Sequence, residues 1–173
     1  MNRVFFCAED HPLPPWIKAA DKFVHRVLDM LGLDNWELSV FFCSNRYIKK
    51  LNAQYRNEDE PTDVLSFPFG ETIAGSKRSL DVMYTKQPAG LVYVAGDIVI
   101  SLEALAENAR FFKVTEDEEL RRLLVHGILH LSGKDHATND ADETMLKIQE
   151  EVLSRLKRKT ILNTPPLAEE KTP

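Results

Sequence analysis

The sequence has few of the features that mark secreted, membrane-bound or strongly basic proteins. Only two of its 173 residues are cysteines, Cys7 and Cys43, and because they form no Cys-x-x-Cys pair we expect buried free thiols. No apolar run approaches the roughly 20 residues that a bilayer span needs. Acidic residues follow soon after Met1, before a signal-like segment has formed. We therefore expect a cytoplasmic protein with no membrane partner.

An excess of positive charge is also absent. Lysine and arginine number 22 against 27 for aspartate and glutamate, and the formal net charge of −5 argues against broad electrostatic binding to nucleic acid. Arg46, Lys49, Lys50 and Arg56 nevertheless lie in one short segment, so a local basic track stays open as an interpretation. The alternative is an ordinary solvated helix face.

Length and composition predict one domain. Hydrophobic residues make up 43% of the chain, which is enough at this length to build a core without help from a metal or a disulfide. We expect a single domain over residues 1–162. Proline and charge predominate in residues 163–173, which we expect to form a disordered tail.

Hydrophobic periodicity predicts a small sheet and several helices. Apolar runs predict strands over residues 4–8, 36–42, 64–67, 91–94 and 97–101. Apolar stripes predict helices over residues 16–31, 45–56, 102–112 and 116–131, and a last helix that contains Met145 and Leu156. Thr115 begins a capping box, and Asp140 with Glu143 offers a cap for the last helix. Residues 70–90 contain four glycine or proline breakers and predict a long surface excursion.

Three of the five histidines fall within eleven residues. His126 and His130 are four apart in a predicted helix, so their side chains project from neighbouring turns on the same side. Gly133 can adopt a left-handed conformation and turn the chain back, which would let His136 reach the same point from outside the helix. The spacing therefore predicts a metal site at the carboxyl end of a helix.

Three neutral imidazoles with no fourth ligand in the sequence are typical of catalytic zinc, because a water molecule can fill the remaining tetrahedral position. We expect one zinc ion per chain. Nickel and copper also accept imidazole ligands, and a structural or adventitious metal, or none, stays as an alternative. Asp135 is a candidate to orient an imidazole through its second nitrogen, although capping of the turn is an equal alternative.

The histidine spacing equals that of the metzincin proteases, His-Glu-x-x-His-x-x-Gly-x-x-His. In this sequence Gly127 stands where those proteases have the glutamate general base. A metal-bound water would then have no adjacent carboxylate to accept its proton, which weakens the interpretation as a protease.

The string from His126 to His136 resembles the signature of the YbeY family of bacterial endoribonucleases, His-Gly-x-Leu-His-Leu-x-Gly-x-Asp-His, at every fixed position. Two further stretches are similar to the family's motifs. They run from Leu51 through Arg56 to Pro68 and from Gly96 to Ser101. The similarity therefore covers roughly residues 45–136, and the 70–90 excursion looks longer than is usual in the family.

The resemblance implies an α+β fold in which a small mixed β-sheet packs against several helices. It also implies a zinc site at His126, His130 and His136 and a functional arginine at Arg56. The implied activity is endonucleolytic cleavage of single-stranded RNA in 16S rRNA 3′-end maturation and ribosome quality control. Ribosomal RNA and the small ribosomal subunit are then the expected partners, and no DNA substrate is expected.

Physical chemistry agrees with the role that the resemblance implies for Arg56. Phosphodiester hydrolysis gathers negative charge on the phosphoryl oxygens, which a metal and a planar guanidinium stabilise without a strong protein base. A cation that only interacts with the end of its helix is the alternative for Arg56. For the whole protein, two alternatives remain: a metzincin-like metalloprotease, and a non-catalytic ribosome assembly factor with a structural metal.

Overall fold

One mixed sheet organises the described part of the chain, which is residues 1–69, 84–87 and 90–162 of a computed structural model. The strands are β1 (Arg3–Ala8), β2 (Trp36–Cys43), β3 (Val64–Pro68), β4 (Tyr84–Gln87) and β5 (Gly90–Ser101). The helices are α1 (Ile17–Met30), α2 (Asn45–Arg56), α3 (Leu102–Phe112), α4 (Glu116–Leu131) and α5 (Thr144–Arg155). Each helix in these ranges is too short or too polar to span a lipid bilayer.

The sheet is parallel on one side and antiparallel on the other. β1, β2 and β5 run parallel in that order, with Val40 opposite Ile98 near the centre. β3 and β4 both pair antiparallel with β5, β3 along its second half and β4 along its first residues. Within the described residues β3 is therefore an edge strand, and its outer edge is open to side chains from the helices.

The two faces of the sheet bury different amounts of apolar surface. The main core lies between one face and the helices α1, α3, α4 and α5, and it contains Ile98 and Ile100 of β5. The opposite face carries a smaller core around Val99, where α2 contributes Ile48. Because successive side chains of a strand point to opposite faces, β5 serves both cores and is buried from both sides. The expected α+β domain is confirmed.

Most predicted elements are present, with local corrections. The two strands predicted over 91–94 and 97–101 are one strand, because β5 continues through a β-bulge: Glu37 pairs with Val94 and Leu38 with Gly96. The prediction that both thiols are buried is wrong for Cys7, which is exposed on β1, whereas Cys43 is buried and both are free. The excursion predicted over 70–90 and the tail over 163–173 lie largely or wholly outside the described residues.

The start of α4 is confirmed, and the cap predicted for α5 is wrong. Thr115 and Glu118 form the expected capping box, in which each side chain accepts the other's backbone N–H. No side chain caps α5, which begins after Glu143. The Glu143 carboxylate instead accepts the N–H groups of Ala137 and Thr138, so it closes the loop that carries His136.

Candidate metal centre

The last turns of α4 present two imidazoles on one side of the helix, as the four-residue spacing predicts. His126 Nε2 and His130 Nε2 lie 3.0 Å apart. The helix ends at Leu131, and Gly133 adopts φ +79°, a left-handed conformation that favours glycine and reverses the chain. His136 follows this turn, and one nitrogen of each of the three rings lies within 4.8 Å of the others.

Hydrogen bonds to the second ring nitrogens orient two of the imidazoles. His126 Nδ1 lies 3.0 Å from Gln149 Oε1, and His136 Nδ1 lies 2.9 Å from the carbonyl oxygen of Thr138. An amide or carbonyl oxygen only accepts, so each Nδ1 must carry the proton. The lone pair of each ring is then on Nε2, the nitrogen that a metal would bind.

The electrostatics of the cluster favour neutral rings. Burial, assisted by the adjacent His130 ring, lowers the pKa of His126 to about 4. Burial also lowers the pKa of His130, against the opposing effect of the Asp135 carboxylate. Only a neutral imidazole has a lone pair to donate, so at pH 7 both rings are in the form that binds a metal.

The donor set fits a zinc ion. Zinc accepts imidazole nitrogens in a tetrahedral arrangement, and catalytic zinc typically has three protein ligands and one open position. Here three neutral imidazoles converge, two of them with their tautomer fixed by a hydrogen bond. No further histidine, cysteine or carboxylate joins the group within the described residues.

The three histidines open onto a cleft of about 570 Å³ that is also lined by Arg56. Arg56 is the last residue of α2, which packs on the opposite face of the sheet, and its guanidinium reaches the edge strand β3. There Arg56 Nη2 donates to the Ser66 carbonyl oxygen at 3.3 Å. The open edge of β3 therefore lets two faces of the sheet contribute to one cleft.

Two carboxylates line the same cleft, Glu58 and Asp135. Asp135 Oδ1 accepts the backbone N–H of His136 at 2.9 Å and lies 3.7 Å from His130 Nδ1. Of the two roles considered for Asp135, the turn cap is thus present, while the contact with His130 is longer than a hydrogen bond. Glu58 was not singled out by the sequence, because it follows α2 in an exposed polar stretch with no periodic pattern.

Gly127 has a packing role that explains the absence of the protease glutamate. A Cβ atom at this position would lie 2.8 Å from two carbons of the Ile98 side chain, so α4 packs on β5 at glycine distance. Gly127 therefore faces the buried sheet. A larger residue at this position would have to displace the fully buried, β-branched side chain of Ile98.

Gln149 is a candidate site residue that the sequence did not single out. It lies on α5, 23 residues after His126, and is buried. A signal was present, since Gln149 occupies the apolar stripe of α5, four residues after Met145 and three before Val152. A polar residue at such a position needs a buried partner, and here the partner is a candidate ligand.

Asp63, at the start of β3, has a structural role. Its carboxylate accepts from Asn108 at 2.9 Å and from Arg122 at 3.3 Å, and it caps the first residue of β3. Arg122 lies one turn before His126 on α4 and is also paired with Glu119. This network fixes the start of β3 against the helix that carries the histidines.

Known proteins are similar to this chain in sequence and in fold. The sequence model described as "Endoribonuclease YbeY" matches residues 8–157. A relative of that name from Treponema denticola is 45% identical over 141 residues, which cover 82% of this chain and 84% of the relative. One from Borreliella burgdorferi is 44% identical over 137 residues, or 79% and 84% of the two chains. The solution structure of TM1509 from Thermotoga maritima is 25% identical with a TM-score of 0.56, and the match covers 94% of this chain and 97% of that one. The chain therefore belongs to the YbeY family.

Proposed function

We propose that this protein is a zinc-dependent endoribonuclease that cleaves single-stranded RNA. The observation that carries the proposal is the convergence of three imidazoles and one arginine in a single cleft. The curated relatives named above are endoribonucleases by name, which supports RNA as the substrate. When bound, zinc would supply Lewis-acid stabilisation of a phosphoryl oxygen and activation of a nucleophile.

The chain's own residues have distinct roles in this proposal. His126, His130 and His136 hold the ion, and Gln149 fixes the orientation of His126 by accepting its Nδ1 proton. Arg56 is the catalytic residue of the chain, because its guanidinium can donate two parallel N–H bonds to the scissile phosphate and stabilise the charge that develops there. Its bond to Ser66 O uses one nitrogen and sets the position of the guanidinium.

The biological role that we propose is maturation of the 16S rRNA 3′ end and ribosome quality control in the cytoplasm, with the small ribosomal subunit as partner. It is supported by the family resemblance of the three motifs. Cells depleted of the protein should accumulate 16S rRNA with an unprocessed 3′ end, as measured by mapping of that end. Normal 3′ ends after complete depletion would contradict this role.

The packing of Gly127 argues against the protease alternative, since a glutamate there would face Ile98 and the core. Peptide hydrolysis by the metzincin route needs that glutamate as a general base. Digestion of casein by the zinc-loaded protein that persists in the Arg56→Ala variant would restore the protease interpretation.

A combined metal and cleavage assay tests the proposal. Arg56→Ala should keep its zinc and lose roughly 100-fold or more in the rate of single-stranded RNA cleavage, the effect typical of losing one preorganised charge donor. Arg56→Lys should restore little of the cleavage rate, because a lysine cannot donate two parallel N–H bonds to one phosphate. His130→Ala should lose both zinc and cleavage.

Two outcomes would contradict the proposal. Full cleavage by Arg56→Ala or by His130→Ala would indicate a contaminating nuclease or a different site. Zinc binding without any RNA cleavage by the wild-type protein would favour the assembly factor with a structural metal. In that case His130→Ala should reduce the free energy of unfolding of the metal-loaded protein.

A further inference from the structure

A second cleft adjoins the metal centre across β3, between α2 and the smaller core. Its volume is about 410 Å³, within the range of sites that bind small organic groups. Arg56, Ser66 and Pro68 line both clefts and form their common border. A polymer whose phosphate lies beside Arg56 would therefore have its next group at the entrance of the second cleft.

Aromatic rings form the walls of this cleft. Tyr47 and Tyr55 lie eight residues apart on one side of α2, and Phe41 and Phe67 come from the sheet. Tyr55 and Phe67 meet edge to face with 5.2 Å between their ring centroids. Aromatic residues at helical spacing are usually part of a core, but here the core consists of smaller side chains and the four rings are only half-buried at its rim.

The charges around the cleft favour an uncharged planar group over a phosphate. Among its described lining residues Arg56 is the only cation, and Asp97 supplies a carboxylate that would repel a phosphate. A carboxylate accepts hydrogen bonds, so it suits the N–H groups on the edge of a nucleobase. Arg46 and Lys50 are exposed on the adjacent row of α2, where they can contact a sugar-phosphate backbone that passes outside the rings.

We propose that this aromatic cleft binds one nucleobase of the RNA strand, in the nucleotide adjacent to the scissile phosphate. The base inserts among the rings of Phe41, Tyr47, Tyr55 and Phe67, while Asp97 accepts from its edge and Arg56 separates it from the phosphate site. The proposal rests on the ribonuclease function proposed above and deepens it. It predicts a requirement for single strands, because a base held in a duplex stack cannot enter the cleft.

The direct test changes the RNA and not the protein. A single abasic nucleotide is moved through each position of a short single-stranded RNA, and KM and kcat are measured for the wild-type, zinc-loaded protein. We expect KM to rise roughly tenfold when the abasic nucleotide is next to the cleaved bond, which is the effect expected from losing one base–aromatic stack. Equal KM values at all positions would overturn the proposal.

Ring variants locate the effect in the cleft. Tyr47→Ala should raise KM roughly tenfold on intact RNA, but it should have no further effect on the RNA that is abasic at the sensitive position. Tyr47→Phe keeps the ring and should behave as wild type. Phe111→Ala is the matched control, since Phe111 is 77% exposed on α3 and lines neither cleft. If Tyr47→Ala raised KM tenfold on both RNAs, the effect of the ring would not depend on the missing base, which would refute the cleft as the base site.

Binding measurements distinguish this proposal from the one on which it rests. Fluorescence anisotropy with the same oligonucleotides reports the base dependence of Kd without cleavage. Base-dependent, Tyr47-dependent binding without cleavage would refute the ribonuclease and support the base site. Cleavage with the same KM whether or not the base is present would support the ribonuclease and refute the base site. Cleavage of a peptide that depends on the Tyr47 ring would refute both.

Discussion

The two ends of α4 both carry polar side chains, almost fully buried at the amino end and partly buried at the carboxyl end, but their hydrogen bonding differs. Near the amino end, the Asp117 carboxylate accepts three hydrogen bonds. They come from Arg121 Nε at 2.8 Å and from the backbone N–H groups of Ile161 and Leu162 at 2.6 and 2.7 Å. At the carboxyl end, His126 uses its Nδ1 for Gln149, and the Nε2 atoms of His126 and His130 lie 3.0 Å apart. The buried Asp117 and Arg121 at the first end are paired with each other, whereas the imidazoles at the second end keep Nε2 lone pairs for a ligand.

This difference distinguishes polar groups that stabilise the fold from those that serve chemistry. The Asp117–Arg121 pair joins the segment after α5 to the start of α4 and is almost fully buried. Removing one member leaves the other charge buried and unpaired, so the free energy of unfolding falls. The histidines lie at the wall of an open cleft, and α4 is already held there by its apolar residues and by Gly127. Replacing a histidine should therefore weaken metal binding and activity far more than it lowers the free energy of unfolding.

Asp117→Ala should give the largest effect on stability, because it removes a buried charge and the acceptor of two backbone N–H groups. We expect the free energy of unfolding of the metal-free protein to fall by about 3–5 kcal/mol, measured by urea denaturation at low temperature. Asp135→Ala is the control at the other end, since its exposed carboxylate should cost less than about 1 kcal/mol. Equal losses for the two variants would remove the proposed contrast.

Gly127→Ala tests the packing that places the histidines. The added methyl group would meet Ile98 at 2.8 Å, so α4 or Ile98 must move. Overpacking of this kind costs about 1–3 kcal/mol, although alanine by itself favours a helix. Thermal unfolding of the metal-free protein provides the measurement, and Gly127→Ala combined with Ile98→Val should recover part of the loss. An unchanged or higher melting temperature for the single variant would contradict the close approach.

Gln149→Leu tests whether the partner of a histidine belongs to the fold or to the metal site. Loss of the hydrogen bond to His126 Nδ1 should weaken zinc binding roughly 10- to 100-fold, measured by competition with a chelator. Gln149→Glu keeps an acceptor oxygen and should bind zinc close to wild-type strength. If Gln149→Leu lowered the free energy of unfolding but left zinc affinity unchanged, Gln149 would belong with the structural network.

The pH dependence of stability provides a further test of the metal-free site. The pKa of His126 is about 4 in the folded chain and lies below the ordinary value of 6.5, so below pH 6.5 the unfolded chain takes up a proton that the folded chain resists. The contribution of His126 to the free energy of unfolding is therefore complete above pH 6.5 and is lost as the pH falls to 4. Urea denaturation of the metal-free wild type and His126→Asn should show a steeper slope in the wild type, because His130, whose pKa is also lowered, contributes to both profiles. Parallel pH profiles would contradict a neutral, buried His126.

Local patterns predicted much of this structure because they depend only on residues close together in the sequence. The Thr115 capping box, the His126 and His130 pair and the turn at Gly133 each depend on residues no more than about four positions apart. Features that depend on distant residues were not predictable in this way. The acceptor for His126 lies on another helix, and Arg56 reaches the cleft only because β3 is at the edge of the sheet.

The errors have a similar origin. Asp140 and Glu143 have the spacing of a helix cap, but the Glu143 carboxylate is used by the backbone of the preceding loop. Ala95 and Gly96 resemble a break between two strands, yet pairing with β2 and β3 carries β5 through a bulge. Cys7 lies among phenylalanines in sequence, but alternation along an edge strand directs it outwards. In each case the signal in the sequence was overridden by a contact or a strand direction that the fold sets.

The most direct test of the metal centre is the zinc content of five dialysed proteins: wild type, Asp117→Ala, His126→Ala, His130→Ala and His136→Ala. We predict one zinc per chain for the wild type and for Asp117→Ala, and for each histidine variant a loss of affinity of roughly 100-fold or more with the fold retained. If a histidine variant kept one zinc at wild-type affinity, or if the wild type bound none, three imidazoles on a common ion would be the wrong description of this cleft.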